Sequence, residues 1–269
     1  SSKLFFSTNA TSSTISLSGN LVDTSQLRNI EFLPGAYRFL SNASTTNFTV
    51  KSGTATTTTT VTAPTLLSIA GDYTQNGIFT HNSGTVYLSG VTPQTLSGVA
   101  TGTSALNNLT VLNTSGTDAQ TDPSVIFSAA ASTTGTFTAT LASTKLRFPA
   151  NATTTIGNLI LSGQAAGTRV SLRSSVSGTK TGLIVSGTRS IDFTDVKDSY
   201  ACSSYPDIDI TNGFDAGNNN CWNFITNLIF SGRIYTDEGT TPMTTAGKTL
   251  RVRIGTTTPG FFATTTSTD

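Results

Sequence analysis

Few residues in the chain could carry chemistry, and most of those are carboxylates. Asp192, Asp195 and Asp198 lie close in sequence to Asp207, Asp209 and Asp215. Two carboxyl groups on either side of a glycosidic bond cleave it, one as acid and one as base or nucleophile. A carboxylate-rich loop such as 207–215 is also the kind that holds a structural Ca²⁺. Side chains alternate between the faces of a strand. The odd spacing of Asp192 and Asp195 therefore sets them on opposite sides, and the favoured reading is solvated turn carboxylates. His81 is the sole histidine. That excludes a two-histidine metal site and leaves one candidate general base, followed by the turn formers Asn82 and Ser83. There is no phosphate-binding glycine loop, dinucleotide motif or CxxC pair. The expectation is no catalytic residue, no metal and no cofactor.

Cys202 and Cys221 are the only cysteines. The segment between them holds Ser203, Pro206, Asn212, Gly213, Gly217 and Asn218, which turn the chain and let its ends meet. A disulfide is the favoured reading over two buried thiols. It would contribute about 3 kcal/mol by restricting the unfolded chain, and it implies an oxidising, extracellular compartment. Trp222, the single tryptophan, is either a sugar-stacking platform or, preferably, an apolar plug. Six Asn-x-Ser/Thr sites, at Asn9, Asn42, Asn47, Asn108, Asn113 and Asn151, are candidate glycosylation acceptors.

The 15 Lys and Arg nearly balance the 14 Asp and Glu, for a net charge of +1. No basic stripe is visible along the chain, so no nucleic-acid partner is expected. No run approaches the ~18 apolar residues of a membrane helix, so no membrane span is expected. A signal peptide is not visible, and residue 1 is compatible with removal of one.

The elements that must position these residues are strands. Thr, Val, Ile, Phe and Gly dominate, and no apolar pattern keeps helical spacing over three turns. Short alternating runs recur instead: Val86/Leu88, Leu109/Val111, Leu146/Phe148, Val170/Leu172 and Ile191/Phe193, and Leu109, Val111, Leu159, Leu161, Val170, Leu172, Ile191 and Phe193 are expected to point inward. Asn108-Leu109-Thr110-Val111 returns as Asn158-Leu159-Ile160-Leu161, with Asn47-Phe48-Thr49-Val50 as a third copy. The first two are separated by fifty positions, which suits two coils of about 25 residues. Leu88-Ser89-Gly90, Leu161-Ser162-Gly163 and Val185-Ser186-Gly187 mark strand ends. This repetition favours a solenoid of stacked coils over a sandwich.

Residues 71–86 (GDYTQNGIFTHNSGTV) resemble a motif of bacterial β-strand-repeat surface proteins, as do 191–199 (IDFTDVKDS) and 217–224 (GNNNCWNF). The resemblance covers roughly residues 66 to 224. It implies an all-β, right-handed parallel β-helix similar to the pectin-lyase-like superfamily, in a secreted protein that is anchored or polymerised at the cell surface. The domain reading is residues 1–65 as an N-terminal β segment or the first coils, 66–224 as β-helix, and 225–269 as a partial β domain. Strand-like stretches 228–235 and 248–254 in that last part resemble the start of an immunoglobulin-like, carboxypeptidase-regulatory-type domain. About 45 residues are too few for a sandwich of about 100, so further residues or a neighbouring subunit would complete it.

Open strand edges recruit partners. The stretch containing Phe5 and Phe6, and that containing Ile15 and Leu17, read as strands without a sheet of their own. Leu250, Val252, Phe261 and Phe262 would supply the matching C-terminal strands. The resulting expectation is an extracellular structural protein that pairs head to tail with itself as a homopolymeric filament. The alternatives are a surface adhesin binding glycans, which exposed aromatic pairs would favour, and a polysaccharide-degrading enzyme, which converging carboxylates would favour.

Overall fold

The computed structural model describes residues 3–7, 13–23, 26–204 and 206–225, and the backbone alone of 249–254 and 261–266. The chain divides into two units, residues 1–227 and 228–269. The first is a parallel β-solenoid whose main sheet wraps 333° round its axis, without an α-helix among the described residues.

The opening coil supplies β1 (Lys3–Phe6) and β2 (Thr14–Leu17), and the next supplies β3 (Leu27–Phe32) and β4 (Gly35–Phe39). Then come β5 (Ala43–Val50) with β6 (Thr59–Thr62), and β7 (Leu66–Ile69) with β8 (Tyr73–Gln75) and β9 (Ile78–Thr80). The middle coils hold β10 (Thr85–Leu88), β11 (Gln94–Gly98), β12 (Asn108–Val111) and β13 (Val125–Phe127). Above these lie β14 (Ser132–Ala139), β15 (Lys145–Phe148), β16 (Thr153–Ser162) and β17 (Val170–Ser174). The stack continues through β18 (Thr181–Val185), β19 (Arg189–Asp192) and β20 (Thr194–Lys197). Its last described strands are β21 (Ser199–Tyr200), β22 (Ile208–Thr211), β23 (Phe214–Asp215) and β24 (Trp222–Ile225). In the second unit β25 (Thr249–Ile254) pairs antiparallel with β26 (Phe261–Thr266). The strand expected at 228–235 lies outside the described residues, as do the side chains of Leu250, Val252, Phe261 and Phe262.

Alternation produces the core. Each coil turns its apolar residues inward, and parallel in-register pairing stacks them into columns. One column runs Ala43, Leu67, Val86, Leu109, Phe137, Leu159. A second runs Ile30, Phe48, Tyr73, Leu96. All of these are buried, and burial of each larger apolar side chain contributes about 1.5–3 kcal/mol. Aromatic rings stack along the axis, Phe48 on Tyr73 with centroids 5.6 Å apart and Phe127 on Phe148 at 4.5 Å.

The fifty-residue offset spans two unequal coils, because Leu109, Phe137 and Leu159 share a column. The Asn47 copy is out of step: Phe48 belongs to the other column. What the three copies share is a corner device. Asn47 Oδ1 accepts the backbone N–H of Asp72, Asn108 Oδ1 that of Thr136, and Asn158 Oδ1 that of Thr188, each from the coil above. A glycine precedes each of those donors. A Cβ on Gly71, Gly135 or Gly187 would lie 2.2–2.4 Å from the same asparagine oxygen.

Two expectations are corrected. Phe193 does not point inward: it is half-buried with a φ of +42°, at the bend between β19 and β20. That bend resets the alternation, so Ile191 and then Thr194 face the core. The N-terminal strands do have a sheet: β1 pairs in parallel with β3, and β2 with β4. Phe6, Ile15 and Leu17 accordingly belong to the solenoid core or pack against it.

Candidate functional site

The carboxylates singled out in the sequence do not converge. Because the chain bends at Phe193, Asp192 and Asp195 both face outward rather than to opposite sides, but on different strands. Asp192 Oδ1 accepts from the Phe193 N–H and Asn212 Nδ2. Asp195 Oδ2 accepts from Arg173 Nη2 at 2.6 Å. Asp198 is buried and bridges coils, its oxygens taking the Gly178 N–H and Asn218 Nδ2. Asp209 accepts from Asn223 Nδ2, and Asp215 from the Gly217 N–H and Asn219 Nδ2. Each of these is a structural acceptor, and Asp207 lies exposed beside Pro206. Among the described residues no three His, Cys, Asp or Glu side chains group as a metal site requires. His81 sits in a turn, where its Nδ1 accepts the N–H of Ser83 at 2.9 Å.

Cys202 and Cys221 form a disulfide, with Cα atoms 4.9 Å apart. It ties the loop after β21 to the start of β24 in the last described coil. Asparagines tighten the same region: Asn220 Oδ1 accepts from Lys180 Nζ, and Asn219 Nδ2 donates to the Val196 carbonyl. Trp222 is buried in the core cluster there, opposite Ile208 on β22.

The sequons separate by environment. Asn113 is fully buried, with Nδ2 donating to the Thr92 carbonyl and Gln94 Oε1. It cannot carry a glycan in the folded chain. Asn47 Nδ2 donates to Asn29 Oδ1 at 2.6 Å, and Asn108 is held at its corner. Asn42 and Asn151 are exposed, and Asn9 lies outside the described residues. The buried amide network of Gln75, Gln94 and Asn113 has no signature in the sequence, because only the stacked coil supplies its backbone partners. Gln94 Nε2 donates to the carbonyls of Ile69 and Gly71, and Tyr73 Oη donates to Gln75 Oε1. Burial holds the Tyr73 phenol well above its usual pKa.

The first described coil leaves apolar side chains exposed. Among the described residues β1 pairs on one edge only, with β3, and β2 only with β4. Leu4 stands opposite Ile30 at the head of an inward column. Ile30 is 1% exposed, whereas Leu4 is 46% and its neighbour Phe5 55% exposed. Phe6 stacks on Phe32 at 5.1 Å, so the aromatic core continues up to this open end. Lys3 and Lys51 flank the buried Glu31 carboxylate at 3.4 and 3.5 Å beside it. A strand edge of this kind presents a row of main-chain donors and acceptors beside an apolar column.

The fold is that of a parallel β-solenoid. No protein-family model, curated protein or solved structure matches the chain.

Proposed function

We propose that the protein is an extracellular structural subunit that assembles head to tail, the open edge of its first coil receiving strands from the C-terminal unit of a neighbouring copy. The observation that carries this reading is Leu4, an inward core-column residue that is 46% exposed on a strand paired along one edge only among the described residues. Covering Leu4 and Phe5 would contribute about 1.5–3 kcal/mol each, and strand addition would satisfy the edge amides of β1. A contact between different surfaces of identical chains does not close by itself and propagates as a fibre. The disulfide fits an oxidising, extracellular setting. Electron microscopy of the purified chain with and without residues 225–269 tests the proposal. Filaments are expected only from the longer form, and filaments of normal length from the truncated form would overturn it.

A further inference from the structure

The chain shows no basic stripe in sequence order, but folding builds one. Ile126, Arg147, Arg173 and Lys197 occupy successive positions of a single outward column on β13, β15, β17 and β20. Lys145 lies two residues before Arg147 on the same face. The six outward positions of β15, β17 and β20 hold four cations, one serine and one carboxylate.

Only one of those cations has a counter-ion. Arg173 pairs with Asp195 at 2.6 Å. Arg147 Nη1 donates to a neutral acceptor, the Gln120 carbonyl, at 2.8 Å. Lys145 Nζ likewise donates to the Ser143 carbonyl. No ion pair or side-chain hydrogen bond of Lys197 is found among the described residues, and its backbone belongs to the β17–β20 ladder. Like charges on adjacent strands, about 4.8 Å apart, repel. Arg147, Arg173 and Lys197 are stacked this way, and among the described residues the Arg173–Asp195 pair is the one ion pair that offsets the cost. The loop 112–124 borders the column and supplies Asp118, whose carboxyl is held low by the N–H groups of Thr121 and Gln120, with a smaller contribution from Arg173. It lowers the local positive charge without forming an ion pair.

We propose that the outer face of β15, β17 and β20 binds an acidic polysaccharide, whose successive carboxylate or sulfate groups pair with Lys145, Arg147 and Lys197. Guanidinium and ammonium groups repeating at the coil spacing suit a polymer with regularly placed anions. The extracellular setting implied by the disulfide supplies such polymers. This face is separate from the open first coil, and binding does not require assembly.

Fluorescence anisotropy with labelled heparin, polygalacturonate and neutral dextran tests this at low and physiological salt. Binding of one or both acidic chains, weakened by salt, is expected, with none of dextran. Heparin alone would identify sulfate as the recognised group, and polygalacturonate alone would identify carboxylate. Lys197→Gln and Lys145→Gln should each lower affinity about two- to fivefold, the size of one exposed ion pair. Asp118→Asn, which keeps its turn-capping oxygen, should raise it. The Lys145 and Lys197 side chains occupy outward positions of their strands, so thermal unfolding of those two variants should be unchanged and a loss of binding cannot come from misfolding. Failure to bind either acidic chain would overturn the proposal, as would binding indifferent to these variants. Equal binding of single-stranded DNA at the same residues would overturn the polysaccharide as the ligand class.

Discussion

Asn108 and Gly135 illustrate how single residues hold one coil to the next. The Asn108 carboxamide oxygen takes the Thr136 N–H, and Gly135 leaves room for it. A Cβ at Gly135 would lie 2.4 Å from that oxygen. Gly135→Ala should cost about 1–3 kcal/mol through overpacking. Asn108→Ala should cost about 1–3 kcal/mol by stranding an amide. The double variant should cost less than the two together, because the clash disappears with the side chain. Denaturant unfolding of the four proteins measures this, and strictly additive losses would remove the device from the account. Tyr73 makes a second residue-scale prediction. Its phenol is neutral in the folded chain well past its usual pKa. The unfolded chain ionises first, at about pH 10, so stability is complete below that and falls as pH rises above it. Tyr73→Phe should flatten that alkaline slope. It should also lose about 1–3 kcal/mol at neutral pH, because Gln75 Oε1 loses its donor. At the sequons, expression in a glycosylating secretory host should give occupancy at Asn42 and Asn151 and none at Asn113. Mass spectrometry of tryptic glycopeptides reads this directly.

At the scale of the element, each strand contacts chiefly the strands above and below it, so damage is expected to stay local unless it opens the core. Leu159 is buried between Phe137 below and Arg189 above. Leu159→Ala should cost about 2–5 kcal/mol, since the coils on either side cannot collapse into the space. Cys202→Ser should behave differently. The disulfide ties only the loop of the last described coil, so amide exchange should speed up in β22 and β24 and stay unchanged in β5, β7 and β10. Uniform loss of protection along the solenoid would show that the staple supports the whole stack.

At the scale of the molecule, β1 is a strand with a partner on one side only among the described residues. A solenoid lacks the closing strand of a barrel and must end on an edge. Leu4→Lys places a charge on the uncovered head of the inward column without disturbing a closed core, because Leu4 is already 46% exposed. The monomer should keep its thermal midpoint, and the filaments proposed for the unaltered chain should shorten or vanish. Unaltered filaments would show that the first coil is not the assembly surface.

The sequence by itself determined the class of fold. Period-two alternation in Val86/Leu88, Leu109/Val111 and Val170/Leu172 is a local property, and it survives folding because each strand has only two faces. The disulfide was legible for a similar reason: two cysteines and a turn-rich segment leave few arrangements. Only the tertiary structure decided which strands stack on which. Asn47 reads like Asn108 and Asn158 yet stands in another column, because coil length varies and register accumulates over the whole stack. One bend at Phe193 turned both Asp192 and Asp195 outward, on different strands, a change that strand periodicity could not foresee. Arg147, Arg173 and Lys197 are neighbours only because coils of unequal length place them one above another. Alternation acts between adjacent residues and is written in the chain, whereas the columns that make a surface depend on the lengths of every loop between them.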